Sequence, residues 1–436
     1  MAIFGLSINQ AANRAFMMPN RPDDARSNKK PPLLPVDQAL TAILALLPQT
    51  MAGTKPLDQA LGLTLAEDLF AVLTLPPQAV SAMDGYAVRA ADVKSFPCKL
   101  TRIAESAAGH PWTGKISAGQ AVRVFTGAAI PDGADTIIIQ EDVDPVAEQD
   151  DVEITVRSAE IAGRYIRPAG LDITAGQVVL PAGTLLSARA IGLVIAAGLT
   201  HASVRLRPRV GVLSTGDELV SPGQLPNPGQ IISSNASFLA NFLSACGAEA
   251  VDLGIARDVP GAMLDAVRRA SNLDLVVTTG GASVGTHDHI VSDLGSSGQN
   301  ALHFWKIAMR PGKPLISGNV DGIPLIGLPG NPVSTAVCAL VFLRPAIAHM
   351  TGGTASSLQF LMPLAVDLGI NDQRQDYIRA QIITKDGVQV IMPAPRQDSS
   401  MMSVLATSNA LIVRPPFDPA KAAGEFVSVV LLPDLC

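Results

Sequence analysis

Three cations, Lys306, Arg310 and Lys313, fall within eight residues of the run Phe304-Trp305-Lys306-Ile307-Ala308-Met309-Arg310-Pro311-Gly312-Lys313-Pro314. Apolar side chains and prolines bracket them, which suits a wall holding an anion better than a solvated surface. Carboxylates occur in several separate places. Asp84 lies in Ser81-Ala82-Met83-Asp84-Gly85-Tyr86-Ala87-Val88, and Asp172 follows the glycine of Arg167-Pro168-Ala169-Gly170. Asp217 and Glu218 are adjacent, Asp258 follows Arg257, and Asp288 stands in His287-Asp288-His289. Val124-Phe125-Thr126-Gly127-Ala128 adds the Thr126 hydroxyl beside a glycine, and Gln140-Glu141-Asp142 adds another acid pair. Singly these are weak signals, because Asp beside Gly is often only a turn former. Gathered together, carboxylates repel: at an effective dielectric of 20, two charges about 4 Å apart interact by roughly 4 kcal/mol. A cation relieves that repulsion, and an oxygen-rich site with few protein ligands suits Mg²⁺ beside substrate phosphates. His287 and His289 have no third His or Cys nearby, so a transition-metal centre is not expected. Carboxylates for Mg²⁺ next to cations for an oxyanion describe phosphate-ester chemistry.

Three glycine-rich loops are placed to present that chemistry. Val210-Gly211-Val212-Leu213 runs into Ser214-Thr215-Gly216-Asp217-Glu218. Leu275-Val276-Val277 runs into Thr278-Thr279-Gly280-Gly281-Ala282-Ser283-Val284-Gly285, and Leu325-Ile326-Gly327 into Leu328-Pro329-Gly330-Asn331-Pro332. Short apolar runs alternating with helical stretches predict the buried parallel strands of a doubly wound α/β domain. Ligands of such sheets gather at the carboxyl ends of the strands, where the topology reverses. Gly216, Gly280, Gly281, Gly285 and Gly330 would let backbone N–H groups reach a bound anion without a Cβ in the way. Asp217, Ser283, Pro329, Asn331 and Pro332 complete the candidate substrate contacts of these loops. Within the same block, Asn235 to Cys246 sets Phe238, Leu239, Phe242, Leu243 and Cys246 on one helical face, with Gly247 as the expected C-cap. Asn331 is expected to cap a helix that has Pro332 at its first position.

The rest of the chain divides by texture. Residues 1–33 read as a disordered extension ending near Lys29-Lys30-Pro31-Pro32. Residues 34–74 and 168–206 read as a discontinuous helical linking domain, with Leu40, Ile43, Leu44 and Leu47 on one stripe of the first helix. A small β domain is inserted at 75–167, the α/β domain spans 207–352, and a C-terminal β domain, barrel-like, spans 353–436. The chain has 436 residues, enough for about three domains by length alone. Hydrophobic residues make up 48% and charged residues 16%, below the usual ~25%, so a large core and an extensive subunit interface are expected. A net charge of −6 offers no basic field for nucleic acid. Cys98, Cys246, Cys338 and Cys436 are scattered, which fits a reducing compartment, and no membrane span or secretory signal is expected. The expected location is therefore cytoplasmic.

Taken jointly and in order, the motifs Ser-Ala-Met-Asp-Gly-Tyr-Ala, Thr-Gly-Ala, Ser-Thr-Gly-Asp-Glu-Leu, Gly-Gly-Ala-Ser-Val-Gly, Lys-x-x-x-Arg-Pro-Gly-Lys-Pro and Gly-Leu-Pro-Gly-Asn-Pro-Val-Ser resemble those of the molybdopterin molybdenumtransferase family. The chain is similar to the E domain of gephyrin from about Leu34 to its end. The resemblance implies an elongated, four-domain homodimer with its active site in a cleft at the subunit interface, and an α/β domain like that of molybdopterin adenylyltransferase. It also implies insertion of molybdate into adenylylated molybdopterin, release of AMP and molybdenum cofactor, and assistance by Mg²⁺. Matched by motif, Asp84, Thr126, Asp172, Glu218, Asp258 and Asp288 are the implied catalytic set, with Glu218, Asp258 and Asp288 as candidate metal ligands. Which acid touches metal and which positions pterin stays open. Lys306, Arg310, Arg379 and Ser399 would surround molybdate or phosphate, and arginine would grip an oxyanion by two parallel bonds. Molybdopterin adenylyltransferase and apo-molybdoenzymes are the implied partners.

One segment departs from the pattern: Gln397-Asp398-Ser399-Ser400 stands where the family often has Gln-Gly-Ser-Gly. Two glycines are lost there, one to an acid, which bears on the role of Ser399. Two other functions fit the same fold, a non-catalytic pterin-binding or scaffold protein and a molybdopterin adenylyltransferase. ATP consumption would mark the latter.

Overall fold

The computed structural model describes residues 33–144, 152–281, 293–295, 298–354 and 359–432. Its centre is a six-stranded sheet in the spatial order Glu249–Ala256, Arg209–Thr215, Leu275–Thr279, Ile323–Leu328, Ile316–Val320, Ala301–Trp305. The first four strands are parallel, and the Ile316–Val320 strand runs antiparallel between its neighbours. All residues of Leu275–Thr279 are buried, as a strand covered on both faces requires. The expected helix forms over Ser234–Ala245 and buries Leu239, Phe242 and Leu243. Gly247, at φ +93, ends it: its N–H bonds to Ser244 O at 3.0 Å, and that of Ala248 to Leu243 O at 2.9 Å, a Schellman closure.

The long apolar run Pro332–Met350 has the length and composition of a membrane span, yet 72% of it is buried inside the protein. Val333, Phe342 and Ile347 are fully enclosed. The first helix, Val36–Leu46, packs against this run. Val36, Ala39, Ile43 and Leu47 share one core with Val210, Val277 and Val333, because an amphipathic stripe fixes which face is buried and not what covers it.

The linking region is held by antiparallel pairing of Ala52–Pro56 with His201–Arg205 and of Leu69–Phe70 with Val178–Leu180. Leu57, Leu65, Leu186, Val194 and Val204, from both flanks of the β region, share one core. Between the flanks lies a five-stranded sheet whose alternation assigns two cores. Tyr86, Val88 and Ile138 enter one, and Ala87, Val122 and Ile137 enter the other. In the C-terminal domain the strands Gln359–Pro363, Phe426–Leu431, Ala410–Arg414, Gln375–Lys385 and Val388–Pro393 are successive neighbours. Ala365 N–H donates to Ile391 O at 2.9 Å, which closes the sheet into the expected barrel-like form. The α/β block lends this sheet one more strand: Met309–Arg310 pairs in parallel with Gln375–Asp376.

Candidate active site

A cleft of ≈ 690 Å³ opens at the carboxyl ends of Arg209–Thr215, Leu275–Thr279 and Ile323–Leu328. Glu249–Ala256 and Leu275–Thr279 flank Arg209–Thr215 on opposite sides, so the cleft sits where the strand order reverses. The three loops approach backbone to backbone. A Cβ on Gly280, which has φ +92, would lie 2.4 Å from the Thr215 carbonyl oxygen. Gly330 in turn packs on the Gly280 Cα. Replacing Gly280 by alanine therefore meets both a forbidden backbone region and a collision with main chain. Strain of this kind costs on the order of 1–3 kcal/mol, so we expect a melting temperature lowered by several degrees and a cleft pushed open. An unchanged melting curve for Gly280→Ala would contradict this packing.

Gly216, Glu218, Asp258, Gly280, Gly281, Pro329, Gly330, Asn331 and Pro332 all line the cleft, so the structure brings together most of the loop residues expected there. Asp217 lies just outside and is exposed. Its Oδ1 accepts the Asp258 N–H at 3.3 Å and stands 3.8 Å from Arg257. Asp288, Ser283 and Gly285 lie outside the described residues. Among the described residues no group of three His, Cys, Asp or Glu side chains gathers as a metal set. Among the described lining residues Glu218 and Asp258 supply two carboxylates, and that oxygen-donor chemistry fits Mg²⁺ shared with substrate phosphate.

Asn235 was missed by the sequence reading. Its Nδ2 donates to Thr279 Oγ1 at 2.9 Å and to Gly330 O at 2.8 Å, tying two glycine loops together from the first turn of a helix. Thr335 Oγ1 donates to Pro329 O at 2.6 Å and fixes the third loop. A polar residue opening a helix beside Ser233-Ser234 is the only local signal for Asn235, and that signal reads equally well as ordinary capping. Asn331 holds the N-cap position with Pro332 after it, but its side chain makes no cap bond. It donates instead to Ser399 Oγ at 2.9 Å, and the Val333 N–H, which a cap would serve, donates to Ser399 O at 3.1 Å. The cap of this helix thus comes from the C-terminal domain.

The cations separate into different roles. Lys306 adopts φ +92, outside the ordinary range for a lysine, and Lys313 is exposed. Pro314, which ends their run, lines the cleft. Arg310, expected to grip an oxyanion by two parallel bonds, directs its guanidinium to the chain's own side chains. Nη1 donates to Asp372 at 3.1 Å, and Nη2 donates to Asn371 at 3.3 Å and to Asp376. The parallel pairing of Met309–Arg310 with Gln375–Asp376 brings these acids within reach, which makes Arg310 a clasp between two domains. Hydrogen bonds from Arg374 hold the Asp372 carboxyl at about 2, and they, with Arg310, keep the clasp charged.

Arg379 is a different kind of cation. It is 1% exposed, its Nη2 donates to Asp398 O at 3.2 Å, and its Nε has no hydrogen-bond partner among the described residues. Burial pushes its pKa down from the usual value. It is a buried guanidinium with an unmet donor beside the Asp398–Ser399 turn that caps the cleft's helix.

In the inserted β domain, Thr126 donates both its N–H, at 2.7 Å, and its hydroxyl, at 2.9 Å, to Asp84 Oδ1. Those bonds, the backbone one first, draw the Asp84 carboxyl below its usual range. Asp172 is exposed in the neighbouring turn. None of these three lines the cleft of its own chain.

Comparison with known proteins bears on all three regions. Family profiles match the MoeA N-terminal region (domain I and II) at residues 34–198, a probable molybdopterin binding domain at 211–349, and the MoeA C-terminal region (domain IV) at 362–432. The molybdopterin molybdenumtransferase of a Nostoc species is 35% identical over 387 residues, covering 85% of this chain and 87% of that one. Its namesake from Haemophilus influenzae is 34% identical over 402 residues, covering 91% and 98%. In structure, the molybdopterin biosynthesis moeA protein from Pyrococcus horikoshii OT3 superposes with a TM-score of 0.79 at 27% identity, covering 92% of this chain and 100% of that one. With all three regions matched and relatives at these identities spanning nearly the whole of both sequences, the chain belongs to the MoeA family of molybdopterin molybdenumtransferases.

Proposed function

We propose that the chain inserts molybdenum from molybdate into adenylylated molybdopterin, with release of AMP and molybdenum cofactor. One observation carries this reading. A glycine-lined cleft bearing Glu218 and Asp258 is joined, through Asn331 and Ser399, to a buried arginine with an unpartnered Nε donor. Backbone N–H groups of the three loops would cradle the pyrophosphate, and Arg379 would hold molybdate close to the dithiolene end of the pterin. Glu218 and Asp258, with Asp288, would hold Mg²⁺, which when bound neutralises charge on the bridging phosphates. Lys306, in the run that ends at the cleft-lining Pro314, would add positive charge for the approach of the two anions.

The Asp84–Thr126 pair and Asp172 complete the site from the second subunit of a homodimer. That places them opposite the cleft and accounts for their absence from its lining within one chain. The enzyme works in the cytoplasm, taking its substrate from a molybdopterin adenylyltransferase and passing cofactor to apo-molybdoenzymes. Incubating the purified full chain with adenylylated molybdopterin, molybdate and Mg²⁺ tests the reading. Molybdate-dependent AMP and cofactor are expected together. A folded dimer that yields neither from verified substrate would overturn it.

A further inference from the structure

We propose that Asp398 is a positioning residue that sets how tightly the cleft's rim holds an oxyanion, by fastening the Ser399–Ser400 turn and by standing as a negative charge beside Arg379. The proposal rests on the molybdate chemistry inferred above for the same site. The turn lies between two domains. On one side the Arg379 N–H donates to Gln397 Oε1 at 2.9 Å, Gln397 Nε2 returns a bond to Arg379 O at 2.9 Å, and Arg379 Nη2 donates to Asp398 O. On the other side Asn331 and the Val333 N–H bond to Ser399. What keeps the turn's shape is the Asp398 carboxylate. Its Oδ1 accepts the Ser400 N–H at 2.8 Å and the Ser400 hydroxyl at 2.6 Å.

Two consequences follow. Ser400 lines the cleft, but its proton is committed to Asp398, so its oxygen meets a ligand only as an acceptor. The carboxylate, kept ionised by those same bonds, also interacts electrostatically with Arg379. An oxyanion at the rim, drawn toward the buried Arg379 with its unpartnered Nε, therefore meets attraction from the guanidinium and repulsion from Asp398. The rim is well formed but deliberately weak for a dianion, which favours release once molybdenum has moved to the pterin.

Calorimetric titration of sodium molybdate into the full-length wild type, Asp398→Asn and Asp398→Ala separates the two effects, with kcat and KM measured alongside. Asparagine keeps the acceptor oxygen and removes the charge. It should tighten molybdate by about threefold to tenfold, seen in Kd and KM rather than kcat, with the gain shrinking in about 0.5 M salt. Alanine also releases the turn, so its Kd should lie above that of the asparagine variant and its kcat below it. Equal Kd for wild type and asparagine overturns the charge effect, and identical asparagine and alanine variants overturn the positioning effect. If wild type itself binds no molybdate, the functional reading falls and takes this proposal with it. Molybdate binding by wild type that neither variant alters would overturn this proposal alone.

Discussion

Replacing Glu218 by glutamine and Asp258 by asparagine together is expected to lower turnover by about two to three orders of magnitude, the size of effect seen when a preorganised electrostatic group is removed from an active site. Thermal stability should hardly move. Both carboxylates line the cleft, and among the described residues neither makes a side-chain hydrogen bond or ion pair. Amides of the same shape leave the fold's contacts intact, and surface changes away from such contacts stay within about 0.5 kcal/mol. The amides remove the negative charge that would hold Mg²⁺ on the substrate's phosphates. Steady-state rates and melting curves of the double variant test this. A melting temperature that falls in step with the rate would assign the pair a structural role instead.

Mixing two crippled proteins is expected to restore activity. Asp84 lies with Thr126 in the inserted β domain, and Glu218 lies in the α/β cleft of the same chain, with neither contributing to the other's surroundings. If a working site takes Glu218 from one subunit and Asp84 from its partner, Asp84→Asn and Glu218→Gln homodimers are each inactive at both sites. After subunit exchange, half the dimers are mixed. By two-fold symmetry each mixed dimer has one site with both acids intact and one with neither, giving about a quarter of wild-type activity. Sites built within one chain would give no recovery at all, so the rate of the exchanged mixture decides between the two arrangements.

Much of this architecture can be read from local sequence because local physics determines it. Leu275-Val276-Val277 is continuously apolar because both faces of its strand are covered, and Gly247 lies where a helix must end in a left-handed residue. Gly280 is required where its strand end meets the Thr215 carbonyl. The Asp84–Thr126 bond joins two motifs 42 residues apart, each legible on its own. Other features depend on contacts between distant segments. Nothing local to Arg310 announces its ion pairs, which exist because the pairing of Met309–Arg310 with Gln375–Asp376 brings Asp372 and Asp376 to it. Asn331 reads as a helix cap until Ser399, 68 residues on, takes over that function. The Val36–Leu46 stripe shows that a face is buried, and only the assembled core shows that Pro332–Met350 covers it. Asn235 carries no motif, because its importance lies in spanning two loops that are 44 and 95 residues away.

The central proposal is that the cleft bearing Glu218 and Asp258 works with the buried Arg379 behind its Ser399 rim, the acids recruiting a metal on a nucleotide phosphate and the arginine drawing in an oxometallate. A crystal of the full-length protein soaked with Mg²⁺, AMP and molybdate measures this directly. Mg²⁺ is expected on Glu218 or Asp258, the phosphate on the Gly280 and Gly330 loops, and molybdate on Arg379 beside Ser399. Metal and nucleotide bound away from the cleft, or molybdate seated away from Arg379, would contradict it.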